Sequence, residues 1–158
     1  AQQRLHAAGL APARLDDDLR ARLEQMMEPL QTRIRTLADI VPQTYYYFTD
    51  ELQFDEKAVR KFLSRDYVPE LYQRLVRALS ELDPWEREGI EAIFHGIAEA
   101  DGRKLGDVIQ PARVALTGTS VSPPIHDVIY LLGREKTVAR LQAAVARAEA
   151  AAQAKAEG

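Results

Sequence analysis

The stretch from Leu71 to Gly102, LYQRLVRALSELDPWEREGIEAIFHGIAEADG, decides the fold class. Leu71, Leu75, Val76, Leu79 and Leu82 recur at helical steps, which lines one side of an α-helix and alternates like no strand. Asp83-Pro84-Trp85-Glu86 then reads as a helix start, with a cap residue, proline at the first helical position and an acid at the third. Ile90, Ile93, Phe94 and Ile97 form the apolar stripe of the helix that follows, and Gly102 is suited to end it. Two amphipathic helices joined by a short turn are thus expected at the centre of the chain.

The same pattern extends both ways. Upstream, Asp55 is expected to cap a short helix through Phe62 and Leu63, and the aromatic run Tyr45, Tyr46, Tyr47, Phe48 is expected in the core. Leu15, Leu19, Leu23, Met26, Met27 and Leu30 predict an N-terminal helix, with Asp16, Asp17 and Asp18 at the positive end of its dipole and Pro29 as its break. Leu30, Ile34, Leu37, Ile40 and Val41 predict a second, with Arg33 and Arg35 off the apolar stripe.

Downstream, Leu105, Val108 and Ile109 are followed by Pro111, which predicts two short turns rather than one straight helix. Thr117-Gly118 ends that run. Ser122 is expected to cap a helix from Ile125 to Leu132, with Pro123 and Pro124 in its first turn and Gly133 closing it. A last helix runs from Glu135 to about Val145, and nine alanines between Ala143 and Ala156 predict a frayed tail. No segment alternates long enough to be a strand. The fold class is all-α, about eight helices in two helical subdomains, 1–65 and 66–158, divided near Arg65 because Asp66-Tyr67-Val68-Pro69 reads as a connection.

At 158 residues the chain is long enough to bury a core without staples. Its 46% hydrophobic and 28% charged residues exclude wholesale disorder. No run approaches the roughly 18 apolar residues of a membrane helix. Zero cysteines remove disulfides and thiolate chemistry and point to a reducing compartment. The first residue is Ala1 rather than Met, so the sequence reads as a piece of something longer. The net charge of −3 hides a split: residues 49–101 carry thirteen acids against seven bases, and residues 102–140 six bases against three acids. Arginine supplies 16 of the 21 cations, which suits planar recognition of phosphates and base edges. A coding bias toward Arg and Ala explains the same count.

No catalytic constellation emerges. His6, His95 and His126 share no metal-ligand spacing, Gly102, Gly106 and Gly118 form no phosphate loop, and Asp50-Glu51 and Asp55-Glu56 sit where helix starts want acids. What remains is the basic third. Arg103, Lys104, Arg113, Arg134, Lys136 and Arg140 flank a loop carrying Thr117, Thr119, Ser120 and Ser122, a weak form of the pattern by which splayed bases are held.

Lys104-Leu105-Gly106-Asp107-Val108-Ile109-Gln110-Pro111-Ala112-Arg113-Val114-Ala115-Leu116-Thr117-Gly118, then Ser122-Pro123-Pro124, Leu131-Leu132-Gly133-Arg134-Glu135 and Arg140-Leu141, closely resembles the C-terminal anticodon-binding region of bacterial glutamyl-tRNA synthetases. Arg33 through Leu37 followed by Tyr45-Tyr46-Tyr47-Phe48 resembles the same family's upstream segment, so the likeness runs from about Leu19 to Val145. It implies two all-helical anticodon-binding subdomains, an α-helix cage, beside a class I catalytic domain whose His-Ile-Gly-His and Lys-Met-Ser-Lys-Ser signatures do not occur here. The resemblance further implies a cytoplasmic, monomeric parent enzyme that joins glutamate to its tRNA with ATP and Mg²⁺. This chain would contribute no chemistry, hold no cofactor or metal, and bind the anticodon arm of tRNA(Glu), with no DNA and no membrane as partner. The family's anticodon contacts carry over onto Arg33, Arg113, Thr117, Ser122, Pro123, Pro124 and Ile125. Ala112 after the Gln-Pro pair, and Ile125-His126 after the prolines, depart from the family's commoner residues. The competing expectation is a non-catalytic helical module that binds a protein through the acidic 49–101 segment.

Overall fold

The computed structural model describes Ala21, Glu24, Gln25 and residues 45–157, and within them it is helical with no strand. Of the helices expected over 15–30 and 30–41, only Ala21, Glu24 and Gln25 are described, and they are helical; the rest, together with Arg33 and His6, lie outside the described residues. The chain forms two compact units, residues 1–52 and 53–158. In the first, residues 45–48 are helical and Tyr46 and Tyr47 are buried, their rings 4.6 Å apart, so the aromatic run is half core. Thr49 closes the following turn, its hydroxyl donating to the Glu51 carbonyl at 2.8 Å.

The division falls after Leu52 rather than near Arg65 because residues 53–65 are bound into the second unit. The Asp55 N–H donates to the Gly118 carbonyl at 2.8 Å, and Arg65 pairs with Asp107 at 2.8 Å. The second unit begins with α1, Glu56–Ala58, which runs into a π-helical turn, Val59–Leu63. It continues through α2 (Val68–Glu81), α3 (Arg87–Asp101), α4 (Leu105–Thr117), α5 (Ile125–Leu132) and α6 (Arg134–Glu157). Asp55 caps α1 as its side chain predicts, accepting from the Lys57 N–H at 2.9 Å. Gly102, at φ +61°, ends α3, its N–H donating to the carbonyls of Ala98 and Glu99.

α2 buries Val68, Leu71, Tyr72, Leu75 and Leu79 along the length of α6. α6 does not stop near Val145. Ala144 and Ala148 are buried, and small side chains there let α2 lie close, while the Arg147 guanidinium covers the Phe54 ring at 3.8 Å. The alanine-rich tail is therefore helical to Glu157 and not frayed.

Three boundaries differ from expectation for reasons distant in sequence. α3 starts at Arg87, with Glu86 as its N-cap, and Asp83-Pro84 lies ahead of it with a cis peptide bond. Trp85 is drawn away from the helix instead, its indole N–H donating to the Tyr130 carbonyl at 3.3 Å. α4 is one helix despite Pro111. A proline there removes the N–H that the Asp107 carbonyl would accept from, and the Tyr67 hydroxyl, 40 residues away, donates to that carbonyl at 2.8 Å. The Tyr72 hydroxyl donates to the Pro111 carbonyl at 2.7 Å from within the core. At the third, Pro124 and not Ser122 is the N-cap of α5.

Candidate nucleic-acid interface

α3 and α4 each turn one helical stripe toward a shared groove of about 230 Å³. Glu91, Phe94 and His95 stand at positions i, i+3 and i+4 on α3, and Leu105, Ile109 and Arg113 at i, i+4 and i+8 on α4. Pro124, Ile125 and His126, at the start of α5, close the groove. Its apolar surface comes from Phe94, Leu105, Ile109 and Ile125, and its polar edges from Glu91, His95, Arg113 and His126. Arg87 on α3 pairs with Asp127 on α5 at 2.6 Å and stacks its guanidinium 4.2 Å from the Tyr130 ring, which fixes these two helices against each other.

Of the residues carried over by resemblance, Arg113, Pro124 and Ile125 line this groove. Thr117, Ser122 and Pro123 lie beneath it, all buried. The Thr117 hydroxyl donates to the Arg113 carbonyl at 2.7 Å, with the Thr119 carbonyl as a more distant alternative acceptor at 3.1 Å, and it accepts from the Thr119 N–H at 3.3 Å. Ser122 does not cap α5. Its hydroxyl donates to the Pro123 carbonyl at 2.8 Å and accepts from Arg113 Nε at 2.8 Å. These side chains therefore shape the loop and set the angle of the Arg113 guanidinium at the groove wall.

Gly118 makes the tight exit from α4 possible. Its φ is +80°, and a Cβ placed there would meet the Gln53 carbonyl oxygen at 2.0 Å. Only glycine satisfies both conditions without displacing the backbone. Between Gly118 and Ser122 the side chain of Val121 is 69% exposed, which leaves an apolar tip at the loop in reach of a ligand.

Most of the remaining basic third serves the fold. Arg140 donates to the Leu116 carbonyl at 2.7 Å, Arg134 donates to the Leu82 carbonyl, and Arg103 stacks 3.7 Å from the Tyr67 ring. Arg65 is held charged above its ordinary range chiefly by the Tyr67 hydroxyl, with Asp107 adding to the effect. Burial pushes the Tyr72 phenol well above the usual tyrosine range, so its hydroxyl stays a donor. His95 sits 3.7 Å from Glu91 on its own helix, and His126 3.9 Å from Asp127. Among the described residues no cluster of His, Asp or Glu could hold a metal ion, and no helix is long and apolar enough to cross a membrane.

Sequence reading missed Glu91, Phe94 and His95 as groove residues. Their i, i+3, i+4 spacing announces a shared helix side, but which neighbour that side faces depends on packing with α4.

Residues 3–145 match the family model described as the anticodon binding domain. The chain is 43% identical over 143 residues to the glutamate–tRNA ligase of Syntrophotalea carbinolica, covering 90% of this chain and 30% of that protein. It is 41% identical over 124 residues to the glutamate–tRNA ligase of Geotalea uraniireducens, covering 78% of this chain and 26% of that protein. The crystal structure of a glutamate tRNA ligase from Elizabethkingia meningosepticum in complex with its amino acid superposes with a TM-score of 0.78 at 27% identity, over 91% of this chain and 27% of that one. The chain thus spans under a third of the length of these relatives, within their anticodon-binding part. The matches favour the anticodon-binding reading over a protein-interaction module built on residues 49–101.

Proposed function

The chain belongs to the anticodon-binding domain family, and from that premise we propose that it grips the anticodon arm of tRNA(Glu) for a glutamate–tRNA ligase. The ligase would join glutamate to that tRNA with ATP and Mg²⁺ held in a catalytic domain outside this chain, acting as a cytoplasmic monomer. The observation that carries the proposal is the groove itself. Arg113 lines it with its Nε fixed on Ser122 at 2.8 Å, in company with the partly exposed apolar side chains of Leu105 and Ile109. Unstacked RNA bases are held in that way, with the ring against apolar surface and the edge against a planar donor. A contact of this kind is worth roughly 1–3 kcal/mol of discrimination.

In this reading Arg113 and Pro124 touch the RNA, whereas Thr117, Ser122, Pro123 and the buried Ile125 hold the loop that presents them. Arg33 would contribute a second base or phosphate contact from the first unit. Titration of the chain with tRNA transcripts that differ only in the anticodon tests the proposal. Anticodon-dependent affinity is expected, with a loss on raising salt that reflects phosphate contacts. Equal affinity for all transcripts would sink it. In the full-length ligase, Arg113→Ala should slow aminoacylation at subsaturating tRNA, and an unchanged rate removes Arg113 from the contact set.

A further inference from the structure

The groove's charge pattern is not that of a phosphate site. A phosphate pocket gathers donors and cations, whereas here the lining that includes Arg113 also carries the carboxylate of Glu91. Glu91 makes no ion pair with Lys or Arg among the described residues; its neighbour is His95, Nε2 to Oε1 3.7 Å, one turn along α3. A phosphate entering between them would meet a like charge on one side. A base edge with N–H donors toward α3 and acceptors toward α4 would instead satisfy both walls.

Resting on the anticodon reading above, we propose that Glu91 is a specificity-determining residue, the acceptor that selects cytosine, by its exocyclic amino group, over uracil in this groove. The chemistry is one of matched and mismatched edges. A carboxylate only accepts, so it bonds the amino group of cytosine and opposes the carbonyl that uracil presents at the same place. Arg113 only donates, and its partners on the base are the ring nitrogen and carbonyl acceptors beside that amino group. Leu105, Ile109 and Pro124 give the ring apolar surface without reading its edge. Arginine therefore supplies affinity for many bases, and Glu91 supplies the choice between an amino and an oxo group.

The test uses tRNA transcripts with cytosine or uracil at each anticodon position in turn, titrated into the chain and into its Glu91→Gln and Glu91→Ala variants. The wild type is expected to prefer cytosine at one position by roughly tenfold. Glu91→Gln, whose amide both donates and accepts, should bring that ratio to within about twofold, and Glu91→Ala should lower it by weakening the cytosine transcript and relieving the uracil one. Glu91 is about half exposed, 52% for its side chain, so both variants should melt like the wild type. A cytosine-to-uracil ratio that survives both substitutions overturns the assignment, as does a wild type that binds tRNA without preferring cytosine at any position. If the wild type binds no tRNA at all, the anticodon reading falls and this assignment falls with it.

Discussion

On one side of α4, Tyr67 and Tyr72 donate to the carbonyls of Asp107 and Pro111; on the other, Leu105, Ile109 and Arg113 stand along the groove. The two sides hold one arginine network each, and the networks differ in their partner. Arg65 is tied to a carboxylate, Asp107 at 2.8 Å, whereas Arg113 is tied at Nε to a neutral hydroxyl, Ser122 at 2.8 Å. A carboxylate neutralises the guanidinium it holds. A hydroxyl fixes the direction of the guanidinium without itself neutralising it. The braced side supports the other, because the Tyr67 hydroxyl replaces the donor that Pro111 removes between Ile109 and Arg113.

Tyr72→Ala breaks the braced side most severely. It empties a fully buried aromatic site and removes the donor to Pro111, so urea unfolding should show a loss of about 3–5 kcal/mol. A loss below about 1 kcal/mol would mean that α4 holds its line without the tyrosine. Gly118→Ala attacks the end of the same helix. The left-handed backbone alone costs about 1–2 kcal/mol, and moving the Gln53 carbonyl aside should add roughly 1 kcal/mol as the Asp55 bond to Gly118 weakens.

Arg113→Lys sharpens the contrast from the groove side. A lysine cannot present a planar fork, so affinity for the cognate tRNA should fall roughly tenfold, about 1.4 kcal/mol, in a binding titration. Fold stability should change by less than about 0.5 kcal/mol, the usual range for a surface-facing change. If the two numbers came out reversed, Arg113 would belong with Arg65 as a structural arginine. Tyr67→Phe is the mildest test. It deletes one hydroxyl from the Asp107 carbonyl and from Arg65, and calorimetry should register roughly 1 kcal/mol of lost stability with tRNA specificity unchanged.

What the sequence made legible was local. Asp55 as a cap, Gly102 and Gly118 as left-handed helix ends, and the span Ile125–Leu132 follow from neighbours within one turn. Each miss came from a partner far along the chain. Pro111 reads as a break until Tyr67 supplies the missing donor. Asp83-Pro84-Trp85-Glu86 reads as a helix start until Trp85 reaches Tyr130, 45 residues on. The tail reads as frayed until Ala144 and Ala148 meet α2. For the groove, resemblance pointed to Arg113, Pro124 and Ile125, and only packing revealed that Glu91 and His95 face them.

The bond from the Asp55 N–H to the Gly118 carbonyl makes one amide a gauge of the loop that follows α4. Gly118 is one residue past the last turn of α4, and the loop to Ser122 pivots on it. Whenever that loop lifts, the Asp55 amide loses its acceptor and its hydrogen becomes exchangeable with solvent. Deuterium uptake at this single position, with and without RNA, therefore reports how often the loop after α4 opens, independently of any contact in the groove.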